Sequence, residues 1–63
     1  MGKVQIIREV LGLSSGAVAK LCGSASYDAI DAYTERWVKW LESQPESVRF
    51  DTWQDAYFAF SGK

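Results

Sequence analysis

The stretch Tyr27–Ser43, YDAIDAYTERWVKWLES in one-letter code, decides the fold. Turned through about 100° per residue with Ile30 as reference, it places Trp40, Tyr33, Trp37, Leu41, Tyr27 and Val38 on one broad apolar arc. The opposite side collects Asp31, Glu42, Glu35, Asp28, Lys39 and Arg36. An arc of this width needs a core to face, and the charges need water. The pattern predicts the longest helix of the chain, with Trp37 at the middle of its buried side.

Working outward, Val4, Ile7, Val10 and Leu11 recur at helical spacing and predict a first helix near residues 3–12. Gly12 is placed to end it in the left-handed conformation. Ser14 or Ser15 is a candidate cap for a second helix, whose short apolar face is Val18, Leu21 and Cys22. Gly23 stops that helix, and Ser24 or Ser26 is positioned to cap the long one. Beyond it, Pro45 breaks the pattern. Ser43-Gln44-Pro45-Glu46 has capping-box spacing, so a short helical turn is one reading of this region; a brief extended segment at Val48-Arg49-Phe50 is the other. Asp51 and Gln54 repeat the capping-box spacing and open a last helix to about Phe60, with Trp53, Tyr57 and Phe60 inward and Gly62 past its end. The expected fold is all-α: one domain over residues 1–63, a small bundle of four or five short helices containing a helix-turn-helix-like unit.

Composition narrows the function classes. A chain of 63 residues buries only about 60% of its unfolded surface and is marginally stable without further help. There is no histidine and one cysteine, Cys22. An intramolecular disulfide is therefore excluded, and no zinc or other cofactor is expected. Three Trp, three Tyr and three Phe are the main resource for a core. The net charge of −1 lacks the basic excess of non-specific nucleic-acid binders. No apolar run approaches a membrane span, and the N-terminus lacks a signal-peptide pattern. Met1-Gly2-Lys3 matches a myristoylation start only loosely, with Ile6 where Ser or Thr belongs. The expectation is a cytoplasmic protein with no membrane association and no small-molecule substrate.

Nothing assembles a catalytic centre. The serines have no histidine to activate them, and Cys22 on an apolar helix face reads as a small core residue. Asp28, Asp31, Glu35 and Glu42 form a narrow acidic stripe, but general acid–base work needs a cleft that shifts carboxylate pKa values. Asp28 has an ordinary role near a helix N-terminus. Asp31 and Glu35, like charges at i,i+4, repel by a few tenths of a kcal/mol, which a Glu35–Lys39 pair offsets. The stripe reads either as a solvated face or as a binding surface.

The most specific signal is Gly16-Ala17-Val18-Ala19-Lys20-Leu21-Cys22-Gly23. It resembles the first motif helix and turn of phage Cro-like repressors and the opening of MerR-type regulators. Small Ala19 admits the second motif helix, Gly23 makes the turn, and apolar Ile30 locks that helix down. Ile6-Ile7-Arg8-Glu9-Val10-Leu11-Gly12 is similar to the helix before the motif in Cro-like proteins, and Tyr33-Thr34-Glu35-Arg36 is faintly similar to a MerR-type segment. The resemblance covers residues 4–37 and implies a transcription regulator that binds DNA as a dimer. It puts Ser26, Tyr27, Asp28, Asp31, Ala32 and Glu35 towards the major groove, with Arg36 and Lys39 further along and Lys20 on the preceding helix. The turn Gly23-Ser24-Ala25-Ser26 is about one residue longer than the family's and lacks its apolar residue. Three acids facing phosphates without a local cation are repulsive.

The same face has a second reading, as a surface that meets protein. Acidic stripes compete for basic surfaces and speed association. The aromatic surplus points the same way, with Trp40, Tyr27, Trp53 or Phe58 as candidate exposed anchors. Two function classes therefore stand, the first preferred and the second its alternative. One is a helix-turn-helix regulator, DNA-binding as a homodimer. The other is a non-enzymatic inhibitor or adaptor that binds a protein partner through the acidic third-helix face and exposed aromatics.

Overall fold

The structure, a computed structural model, describes residues 1–23 and 26–62. Within them the chain is all-α, with helices α1 (Lys3–Leu11), α2 (Ser15–Cys22), α3 (Tyr27–Glu42) and α4 (Trp53–Ser61) in that order. α3 is the longest and central: α1, α2 and α4 all pack against it, and α1 also meets α4.

The boundaries follow from local chemistry. The Ser14 hydroxyl accepts the Ala17 N–H at 3.2 Å and starts α2. Gly23 ends that helix at φ 72°, a left-handed conformation open to glycine without strain, and its N–H returns to the Ala19 carbonyl at 2.9 Å. Ser26 is the N-cap residue of α3; Ser24, the other candidate cap, and Ala25 lie outside the described residues. Lys3 closes the far end of α3. Its ammonium donates to the carbonyls of Glu42 at 3.1 Å and Gln44 at 2.8 Å and pairs with Glu46 at 3.2 Å, a cation set against the negative end of the helix dipole.

Several local expectations need correction. Gly12 is right-handed, at φ −86°, because its N–H is held by the Arg8 and Glu9 carbonyls and Leu13 still bonds back to Val10. The Ser43–Glu46 capping box does not form. The Ser43 hydroxyl turns back to donate to the Trp40 carbonyl at 2.6 Å, and Pro45 opens a turn closed by the Val48 N–H. The extended alternative holds instead, since Gly2 and Arg49 form an isolated antiparallel bridge and the Phe50 N–H reaches the Met1 carbonyl at 2.9 Å. The last helix is capped one residue later than expected: the Thr52 hydroxyl accepts the Asp55 N–H at 3.3 Å.

The core is Ile6, Val10, Trp37, Leu41 and Ala56, with Trp37 fully buried. Three rings of α4 enclose that indole. Tyr57 meets it edge-on at 5.5 Å, Trp53 is tilted at 6.2 Å, and Phe60 stacks at 6.2 Å. The buried line of α1 is thus Ile6–Val10, one helical turn apart, with Ile7 half-buried, while Val4 and Leu11 are exposed. Tyr27 also leaves the predicted arc. It is 76% exposed, because the part of α2 it faces carries only Ser15, Gly16 and Ala19, too small to cover a ring.

Candidate functional site

The outer face of α3 carries Asp28, Asp31, Glu35, Arg36 and Lys39, all exposed, and Ser26 and Tyr27 are exposed at its start. Helical spacing sets Asp31 and Glu35 one turn apart on one side. Lys39, one turn beyond, pairs with Glu35 at 3.4 Å, both side chains open to solvent. Such an exposed pair contributes only a few tenths of a kcal/mol. Glu42 lies at the end of the helix, where its carbonyl rather than its carboxylate is engaged by Lys3. Asp28, Asp31 and Glu35 lie on the first part of α3 and Glu42 at its end, all exposed.

Asp31 and Glu35 do not stand on an otherwise polar surface. Together with Thr34 they edge an open groove of about 390 Å³ between α3, α2 and the end of α1. Its apolar wall is Leu11, Leu13, Val18 and Ile30. Val18 and Ile30 are buried floor residues, whereas Leu11 is 63% exposed at the margin. A shallower depression of about 180 Å³ continues past Ile30 and Ser15 towards Gly16, Ala19 and Tyr27. The two carboxylates and the hydrophobic strip share one surface.

The aromatic candidates divide. Trp40 and Trp53 are half-buried and pack on the core, Trp40 against Phe50 and Phe60 and Trp53 against Trp37. Phe58 is 67% exposed, on the side of α4 away from the core. The groove's Leu11 and Leu13 escaped the sequence reading because Leu11 shares helical spacing with Val4 and Ile7. The available signal was the Ile6–Val10 pair, which rotates the inner face of α1 and pushes Leu11 outward.

The remaining polar groups do not converge on a reaction centre. Among the described residues no polar or charged residue is buried, and no cluster of three potential ligands could hold a metal ion. Cys22 is half-buried, its thiol 3.9 Å from the Ala19 carbonyl. The Tyr33 hydroxyl is pushed up to about 12 by burial and then by its neighbour Tyr57. The Tyr57 hydroxyl donates to the Leu21 carbonyl at 3.3 Å and ties α4 to α2. No described helix is long and apolar enough to cross a membrane. No protein-family model, no curated protein and no solved structure matches the chain.

Proposed function

We propose that this chain is a non-enzymatic protein-binding module, an inhibitor or adaptor, that docks on a cationic protein surface through Asp28, Asp31 and Glu35 of α3. The observation that carries the reading is the apolar groove beside Asp31 and Glu35. Carboxylates alone attract any cation and specify little. Carboxylates bordering exposed hydrophobic surface give both long-range steering and a desolvated contact, the usual composition of a protein interface.

The second reading is a helix-turn-helix regulator that enters DNA with α3. It is favoured by the α2–Gly23–α3 arrangement, with left-handed Gly23 and buried Ile30. Charge works against it. The first half of α3 offers three carboxylates to phosphate, and Lys39, one of the two cations further along, is shared with Glu35.

The deciding experiment uses immobilised wild-type chain and an Asp31→Lys/Glu35→Lys double variant against the same lysate, with a parallel gel shift on a DNA duplex at low salt. Proteins held by the wild type and lost by the variant, with no shifted DNA, are the expected result. A duplex shifted by the wild type at low salt overturns the reading in favour of the regulator.

A further inference from the structure

We infer that the occupant of the α1–α2–α3 groove is a cationic amphipathic helix of the partner, its apolar side over Val18 and Ile30 and its Lys or Arg side chains towards Asp31 and Glu35. This rests on the protein-binding reading and narrows it to one class of ligand.

Three features select that ligand. The groove is apolar between helices, and the one extended pairing among the described residues, Gly2 with Arg49, is an isolated bridge remote from the groove's lining. Adding a strand is therefore not the mode here, and an amphipathic helix laid in a hydrophobic groove is. The two carboxylates on one rim, a turn apart, match cations a turn apart on such a helix. The groove is also extended: beyond Ile30 it continues into the depression beside Tyr27, where a Cβ added at Gly16 would meet nothing within 4 Å. Anchors at i and at i+3, i+4 or i+7 fit two successive hollows. A second copy of this chain is a poorer match. The exposed apolar line of its α1, Val4 to Leu11, carries a single cation, Arg8, with Glu9 beside it.

The test is fluorescence anisotropy with a labelled synthetic peptide of leucines on one helical face and lysines elsewhere. Two controls are a scramble of the same composition and a peptide with Glu in place of Lys. The wild-type chain is expected to bind the amphipathic cationic peptide at least about tenfold more tightly than either control, a difference of about 1.4 kcal/mol. Asp31→Lys/Glu35→Lys should remove about that factor, and Leu11→Gln should weaken binding severalfold. Gly16→Leu, which projects into open space and leaves folding intact, should block the second hollow and weaken binding by a similar factor.

Equal affinity for the scramble, or binding indifferent to both Leu11→Gln and Gly16→Leu, overturns the inference. So does sedimentation of the wild type as a dimer that Gly16→Leu dissociates, since the occupant would then be a second copy. If the peptide fails while the double charge reversal still abolishes lysate capture, the inference falls and the protein-binding function stands. Loss of both removes the function as well.

Discussion

Trp37 and Phe60 stack with ring planes 11° apart and centroids 6.2 Å apart, joining the middle of α3 to the end of α4. With Tyr57 at 5.5 Å, Trp37 is the common contact of the aromatic core, yet its Nε1 is buried with no hydrogen-bond partner among the described residues. Two opposed terms follow: a large apolar area removed from water, and an unpaired donor that costs about 1–3 kcal/mol. Trp37→Ala should cost about 3–5 kcal/mol and leave little or no folded protein. Trp37→Phe should cost clearly less, because both variants remove the unpaired N–H but Phe keeps a ring. Urea melts of both variants check this, and equal losses would mean that the ring kept by Phe contributes nothing to the core.

That arrangement was half legible beforehand. The arc from Ile30 to Leu41 is a run of helical spacing long enough to place Trp37 in the core with no tertiary information. Tyr27 fell on the same arc and is exposed, because periodicity names the side of a helix and not whether a neighbour reaches it. Likewise Val4 and Leu11 kept helical spacing with Ile7, but docking against both α3 and α4 turned Ile6–Val10 inward. The acidic stripe was readable residue by residue. The hydrophobic wall beside it was not, since it joins the end of α1, α2 and α3, and a contact among three separate segments leaves no local pattern.

The start of α4 offers a test of a one-residue shift. Thr52, not Asp51, has its side chain on a helical N–H. Thr52→Ala should cost about 1 kcal/mol, whereas Asp51→Ala should stay within about 0.5 kcal/mol as an exposed substitution. Thermal melts of the pair distinguish them, and a reversed order would put the cap back at Asp51.

Two glycines should respond in opposite directions. Gly16 lies inside α2, and a Cβ there meets nothing within 4 Å. Gly16→Ala should stabilise by about 0.5–1 kcal/mol through helix propensity and the unfolded chain. Gly23, at φ 72°, has the same free space but a backbone that L side chains avoid. Gly23→Ala should destabilise by about 1 kcal/mol. Melting temperatures moving the same way would contradict the assigned conformations.

Tyr33 gives the fold an alkaline limit. Its hydroxyl is pushed up to about 12 by burial and by Tyr57, so the unfolded chain releases the proton near pH 10 and the folded chain only near 12. The folded state then holds more protons than the unfolded one across that window, and stability declines as pH rises through it. The contribution is fully present below about pH 10. Tyr33→Phe cannot ionise and should show a shallower fall in melting temperature between about pH 10 and 12 than the wild type. Parallel falls would assign the alkaline loss to other groups.

The charge reversal on α3 separates folding from function most sharply. Asp31→Lys with Glu35→Lys exchanges one like-charge i,i+4 pair for another, which leaves that repulsion about where it was. It also turns the 3.4 Å Glu35–Lys39 pair into a contact between two cations. The local cost is about 0.5–1 kcal/mol. Both positions are exposed, so the variant should stay folded with a melting temperature lower by a few degrees. Binding should change far more, because the reversal takes the charge facing a cationic partner from −2 to +2, over a groove whose apolar wall is untouched. Association should slow most at low ionic strength, where steering is least screened, and the wild-type rate should fall steeply with added salt while the variant's does not. Affinity of the variant for a DNA duplex should rise in parallel, with a steeper salt dependence, since each new cation near phosphate releases counterions. Stopped-flow association with a partner captured by the wild type, repeated across ionic strength, reads both effects. A folded variant that still associates at the wild-type rate at low salt removes Asp31 and Glu35 from the contact and leaves exposed Phe58 on α4 as the next surface to test.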